Sequence, residues 1–216
     1  MPSLLMLTSV WAPAFLKLVD IFSLVWLILL FWIPFFWLLI HPLIRFWRRF
    51  GNKALWVAAP VWLGFTTAFF LLRHLLFADR IPRDGFTWAA GVSLLLLSAW
   101  LERQTRGALG VRRLIGIAEM NPGYCLSGMV SSGIYSRMRH PRYMAYMLTV
   151  LSVAFLSGSA PIFLLAILNI LLYQIVAPLE ERELLDHYGA QYASYRREVP
   201  RFVPRWWRRT KPQPSS

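Results

Sequence analysis

The chain is poor in cysteine, in acid and in charge. Its one cysteine, Cys125, has no partner for an internal disulfide, which excludes a disulfide-stapled scaffold. Cysteine-rich zinc sites are excluded on the same ground, and the four histidines are scattered, so no metal site is expected. Acids number 10 against 23 lysines and arginines, and all charged residues together make up only 15% of the chain. An ordinary soluble domain carries about 25%. What fills the space is apolar: 57% hydrophobic residues, with 11 tryptophans and 15 phenylalanines. That balance excludes a disordered chain, a collagen-like fibre and a typical soluble enzyme. The formal net charge of +13 would suggest nucleic acid in a soluble protein. In a chain this apolar it marks arginine-held cytoplasmic loops and contact with anionic head groups, so membrane lipids are the expected partners and nucleic acid is not.

Apolar runs set the organisation. A helix crossing the hydrocarbon core needs about 20 mostly apolar residues. Five stretches qualify or come close: Val19–Ile40 with Pro34 inside it, Ala54–Phe77, the short Phe86–Leu101, Tyr143–Leu156 and Pro161–Ala177. The small, uncharged Ser157-Gly158-Ser159-Ala160 joins the last two as a tight helical hairpin. The expected fold is therefore all-α, a multi-span helix bundle. Its parts are three N-terminal spans (1–101), a cytoplasmic loop (102–142), the hairpin (143–178) and a C-terminal segment with a basic tail (179–216). The first 18 residues lack a basic leader region, with Lys17 too late for a cleaved signal, and suit an interfacial helix.

With five spans, 19 of the basic residues fall on one side and four (Lys17, Arg73, Arg80, Arg83) on the other. The positive-inside rule then puts the N-terminus outside and the C-terminus in the cytoplasm, as in a bacterial inner membrane. Arg205-Trp206-Trp207-Arg208-Arg209 reads as a lipid-surface anchor.

Polar chemistry concentrates in two cytoplasmic stretches. Ser131 to Tyr143 leads into the hairpin and contains Tyr135, Arg139, His140 and Pro141. Glu180 to Pro200 leaves it and contains Glu180, Glu181, His187, Tyr188, Tyr192 and Tyr195. A tight hairpin brings both to one membrane face. Taken alone, Arg139-His140-Pro141 is a helix start with positive-inside arginines, or a helix N-terminus facing an anionic group. Four acids within residues 180–186 are either a solvated helix start, with His187 pairing Glu183 at i+4, or a partly buried carboxylate pair facing a cation. His41, His74 and Cys125 read as structural.

These stretches resemble the isoprenylcysteine carboxyl methyltransferase family and its bacterial relatives, neighbours of the phospholipid N-methyltransferases. The resemblance covers about Ser131 to Pro204. Ser132-Gly133-Ile134-Tyr135 is similar to the family's small-Gly-x-Tyr element. Arg139-His140-Pro141 with Tyr143 resembles Arg-His-Pro-x-Tyr, and Glu180-Glu181 resembles the Glu-Glu pair. His187-Tyr188-Gly189 through Tyr192 and Tyr195, then Val199-Pro200-Arg201, resembles the Phe-Gly-x-x-Tyr-x-x-Tyr and Val-Pro ending. Departures are Ile134 for proline, Ala145 for glycine and Tyr188 for phenylalanine.

The resemblance implies an enzyme moving a methyl group from S-adenosylmethionine to a lipophilic acceptor with a carboxylate, thiol or amine head. It implies Arg139, Glu180 and Glu181 as catalytic residues. For the cofactor it implies Tyr135, Arg139, His140, Pro141, Tyr143, Glu180, Glu181, His187, Tyr188, Tyr192 and Tyr195. Carboxylates suit the donor's amine or ribose diol, and Arg139, His140 and the helix N-terminus suit its α-carboxylate. Two rival readings stand beside it: an NADPH-dependent membrane reductase of related architecture, and a non-catalytic scaffold or transporter.

Overall fold

A computed structural model describes residues 2–109 and 128–204. Cys125 and the Trp206-Trp207 anchor lie outside the described residues. The described architecture is all-helical, as expected. Helix α1 spans Pro2–Leu30, α2 Ile33–Ile40, α3 Ile44–Trp47, α4 Ala58–Leu71, α5 Arg73–Leu76 and α6 Gly85–Leu109. Beyond residue 127, α7 spans Pro141–Ser157, α8 Ala160–Tyr188 and α9 Ala190–Glu198.

Several boundaries differ from the sequence expectation, each for a local reason. The first 18 residues form no separate helix; they run unbroken into α1. The first apolar stretch instead breaks at Phe31–Trp32. Pro34 has no N–H to give the carbonyl of Leu30, and its ring crowds that carbonyl, so the helix restarts with Pro34 in its first turn. The second stretch is likewise cut at Leu72, between α4 and α5. Helix α6 carries on to Leu109, making the start of the expected loop helical. Helix α8 continues past Ala177 to Tyr188, so Glu180 and Glu181 sit within a helix and not at a helix start.

Three segments among the described residues are long and apolar enough to cross a membrane: Pro13–Gly51, Gly85–Ala108 and Ala160–Tyr188. Ala58–Leu71 is a shorter apolar helix, and α7 has 17 residues, the lower limit for a crossing.

Helix α7 is the centre of the bundle, packed against α1, α6 and α8. Its small buried residues Ala145, Thr149, Ser152 and Ala154 let neighbouring backbones approach. Ser98 Oγ donates to the Ala145 carbonyl at 2.8 Å, and Ser152 Oγ donates to the Gly91 carbonyl at 2.7 Å. Ala145 is thus accommodated at a close helix contact. A larger residue at Gly91 would meet the Leu156 side chain at 2.7 Å. The apolar core joins Leu27, Phe31 and Phe69 to Val150, Val153 and Ala154 of α7 and to Ile162 and Ala166 of α8.

The α7–α8 turn is as tight as its sequence implied. Gly158 takes the left-handed conformation at φ +59, and Ser159 Oγ caps α8 by accepting from the Ile162 N–H at 3.2 Å. The connection after α5 is stitched onto this turn. Ile81 N–H donates to the Gly158 carbonyl at 2.7 Å, and Ala160 N–H to the Asp79 carbonyl at 3.0 Å. A Cβ on Gly158 would stand 2.8 Å from the Ile81 carbonyl oxygen. Gly158→Ala combines a strained backbone with that clash, and about 1–3 kcal/mol of destabilisation is expected. Thermal unfolding in detergent measures it; an unchanged midpoint would show that the turn relaxes freely.

Candidate active site

The two polar stretches meet where α7 begins. Pro141 starts that helix, and His140 is its N-cap residue. After α9 the chain returns across this point: Arg139 N–H donates to the Pro200 carbonyl at 2.9 Å, and His140 N–H to the Arg201 carbonyl at 3.0 Å. Two backbone bonds therefore hold Arg139 and His140 against the Val199-Pro200-Arg201 segment.

Glu181 of α8 lies at the middle of this assembly, with its side chain only 1% exposed. Its carboxylate accepts from Arg139 Nε at 3.1 Å and Nη2 at 2.9 Å. Arg201 adds Nε at 2.9 Å and Nη2 at 3.1 Å, and His140 Nε2 lies at 3.1 Å. Arg139 is itself nearly used up, because its Nη1 donates to the carbonyls of Arg196 and Val199, both at 2.6 Å. Arg139 and Glu181 thus spend most of their bonding capacity on each other and on the returning chain.

Glu180 is held differently. Its side chain is 21% exposed, and its Oε2 lies 3.3 Å from His140 Nδ1. Tyr143 also hydrogen-bonds its carboxylate. His140 therefore has one carboxylate at each ring nitrogen. Its ring stacks on Tyr143 at 5.3 Å and lies 5.9 Å from Phe202.

Burial works against a charged His140, but Glu180 and Glu181 outweigh it and raise its pKa above the usual 6.5. A group whose pKa is raised by folding adds stability that is complete below 6.5 and is lost as pH climbs through the raised value. The unfolding midpoint in detergent is therefore expected to fall as pH rises beyond 6.5, with a shallower slope in His140→Gln. A midpoint that stays level across that range would contradict an imidazolium here.

The tyrosines complete the surroundings. Tyr192 is buried on α9, and its hydroxyl has no hydrogen-bond partner among the described residues. Its ring lies 5.8 Å from that of Tyr195, whose hydroxyl donates to the Tyr135 carbonyl at 2.7 Å. Burial pushes the pKa values of all three phenols upward, so they stay neutral.

Of the residues singled out from the sequence, Arg139, His140, Pro141, Tyr143, Glu180 and Glu181 come together. Tyr135, Tyr192 and Tyr195 form a second group, tied to the first through α9. His187 and Tyr188 pack edge to face on one another at 4.5 Å. They sit six and seven positions beyond Glu181, about 9–10 Å further along the axis. His187 is exposed there and does not pair with Glu183.

Two contributors escaped the sequence reading. Arg201 was visible only as the end of a Val-Pro-Arg string. His41 read as structural, yet its buried Nδ1 lies 2.6 Å from Glu183 Oε1, and its ring stacks on Trp37 at 4.9 Å. Its position after α2 and before Pro42 was its only signal.

An apolar helical bundle with a buried Arg-His-Glu cluster at the foot of a helical hairpin defines a class of integral membrane protein. The phospholipid methyltransferase family model matches residues 86–191, from α6 through α8. The match includes Arg139, His140, Glu180 and Glu181 and ends before Tyr192, Tyr195 and Arg201. The chain is similar to the cobalt-zinc-cadmium resistance protein CzcN of Cupriavidus metallidurans, 34% identical over 142 residues. That similarity covers 63% of this chain and 59% of CzcN. It is also similar to methanethiol S-methyltransferase 2 of Bradyrhizobium diazoefficiens, 32% identical over 78 residues, covering 36% of this chain and 29% of that protein. The chain thus spans less than two thirds of the length of either relative. Among the described residues no group of three His, Cys, Asp or Glu side chains is placed to hold a metal ion.

Proposed function

We propose that this protein transfers a methyl group from S-adenosylmethionine to a lipophilic acceptor at the membrane face carrying Glu180. The observation that carries the reading is the unequal pair of adjacent carboxylates. Glu181 is saturated by two arginines and a histidine, while Glu180 is partly exposed and more loosely held. Within the family's matched stretch, that leaves one oriented carboxylate for a ligand.

The residues fit the cofactor. The Glu180 carboxylate is suited to its ammonium, and the unpartnered Tyr192 hydroxyl to its ribose diol. The N–H of Arg139 Nη2 not used by Glu181 suits its carboxylate. Tyr135, Tyr192 and Tyr195 supply a neutral aromatic wall. When bound, S-adenosylmethionine supplies a methyl group on a positively charged sulfur. The protein's task is to bind, orient and exclude water, since an in-line displacement gains most from positioning. A thiolate or carboxylate acceptor needs no strong base; an amine must lose a proton.

The five-span arrangement, with the N-terminus outside and the C-terminus in the cytoplasm, belongs to the same proposal. It is supported by two sets of contacts at opposite ends of the bundle. The segment 77–84 meets the α7–α8 turn at one end, and His41 meets Glu183 at the other.

An acceptor that leaves water for the bilayer gains about 0.8 kcal/mol for each CH₂ of its tail, which concentrates long-tailed acceptors beside the site. The test is methyl transfer from labelled S-adenosylmethionine to a series of acceptors sharing one head group and differing in tail length. A thiol series comes first, because the Bradyrhizobium relative is named for methanethiol. The specificity constant is expected to rise with tail length. A flat or falling series, with activity kept on a short hydrophilic acceptor, would overturn lateral access from the bilayer.

A further inference from the structure

The end of the bundle remote from Glu181 carries a second polar assembly. Helix α7 separates the two by 17 residues, about 25 Å. A cavity of about 560 Å³ opens here between the middle of α1, from Pro13 to Asp20, and the connection preceding α6. Leu16 and Pro82 contribute apolar wall, and Lys17, Asp20, Arg80 and Arg83 contribute charge.

Asp20 is shared by both arginines. Arg80 donates through Nη1 at 3.0 Å and Nη2 at 2.8 Å, and Arg83 through Nη2 at 2.6 Å. Both guanidiniums also donate to the Ser157 carbonyl, each at 2.8 Å. With Lys17 the lining holds three cations and one carboxylate, a surplus of two positive charges among the lining residues. Arg83 Nη1 is buried and makes no hydrogen bond among the described residues. A buried guanidinium nitrogen left without an acceptor is costly and calls for an anion.

The surroundings say which kind of anion. The charged residues share the lining with Pro13, Leu16, Ile81 and Pro82, and Ile81 is 43% exposed. A soluble anion would use the cations and leave this apolar strip bare. An amphiphile uses both.

We propose that this cavity binds the phosphate head group of an anionic phospholipid, with its acyl chains leaving past the apolar lining residues Leu16 and Ile81. The volume lies within the range of sites that hold small ligands. The charge selects the lipid class. A zwitterionic head group brings its own cation and leaves the surplus unmatched; an anionic head group supplies net negative charge. The site stands apart from the methyl-transfer reading and does not depend on it.

The experiment uses the full chain purified in a neutral detergent. Binding of phosphatidylglycerol, phosphatidylcholine and inorganic phosphate is measured by native mass spectrometry and by the shift of the unfolding midpoint. Phosphatidylglycerol is expected to bind in preference to phosphatidylcholine and to raise the midpoint. Lys17 is exposed and outside the Asp20 clamp, so Lys17→Gln tests the site without removing that clamp. It should cut the preference about fivefold, the effect of one basic residue at a lipid surface. Lys53→Gln, another exposed lysine, should leave the preference intact. Equal binding of both lipids would overturn the proposal, as would an equal loss in the two variants. Inorganic phosphate binding as tightly as phosphatidylglycerol would overturn the lipid assignment.

Discussion

Glu181→Ala is expected to lower the unfolding free energy by about 3–5 kcal/mol, the range for breaking a buried ion pair by removing one partner. The size follows from what is left behind. Arg139, Arg201 and His140 all converge on this carboxylate, which is 1% exposed. Without it, three buried or half-buried cationic groups face one another, and the segment after α9 loses its anchor on α8. Glu181→Gln keeps the shape but removes the charge, so its loss should be intermediate. Chemical or thermal unfolding in detergent reads both. A stable Glu181→Ala protein with normal folding would show that the returning chain holds itself and that Glu181 is free for another role.

Glu180→Gln is expected to do the opposite. It should weaken S-adenosylmethionine by about 1.5–3 kcal/mol, roughly 10- to 150-fold, as for a lost charge-assisted hydrogen bond. The unfolding midpoint should fall by less than in Glu181→Ala, because Glu180 is 21% exposed and has fewer partners, His140 at 3.3 Å and Tyr143. Glu198, exposed at the end of α9, is the control, and Glu198→Gln should change neither quantity. Two neighbouring carboxylates thus separate into one that builds the site and one that serves the ligand. If Glu180→Gln lost stability and affinity in proportion, the distinction would fail.

The parts of this site that were legible in the sequence are those set by local punctuation. Ser157 to Ala160 could only be a turn, so the Arg139 and Glu180 stretches had to lie at one end of a hairpin. Pro34 was visible inside the first apolar stretch, and the break just before it follows from the backbone bond that proline removes. The extent of α8 was not legible from apolar content, since nothing in Glu180–Asp186 stops a helix once one is running. Partner choice was the least legible. Glu183 and His187 had the spacing of a helical pair, yet Glu183 bonds His41, 142 positions away in sequence. Equally, nothing in the sequence showed that the carbonyls of Arg196 and Val199 would take Arg139 Nη1, or that Arg201 would join Arg139 on Glu181. Such choices depend on which segments the bundle packs together, and a single sequence does not display that.

The central claim is that Glu180 lies at an S-adenosylmethionine site. The most direct measurement is a calorimetric titration of the purified full chain with S-adenosylmethionine and, separately, with NADPH. The account predicts saturable binding of S-adenosylmethionine, loss of that binding in Glu180→Gln and no saturable response to NADPH. Saturable binding of NADPH with none of S-adenosylmethionine would contradict it and favour the reductase reading instead.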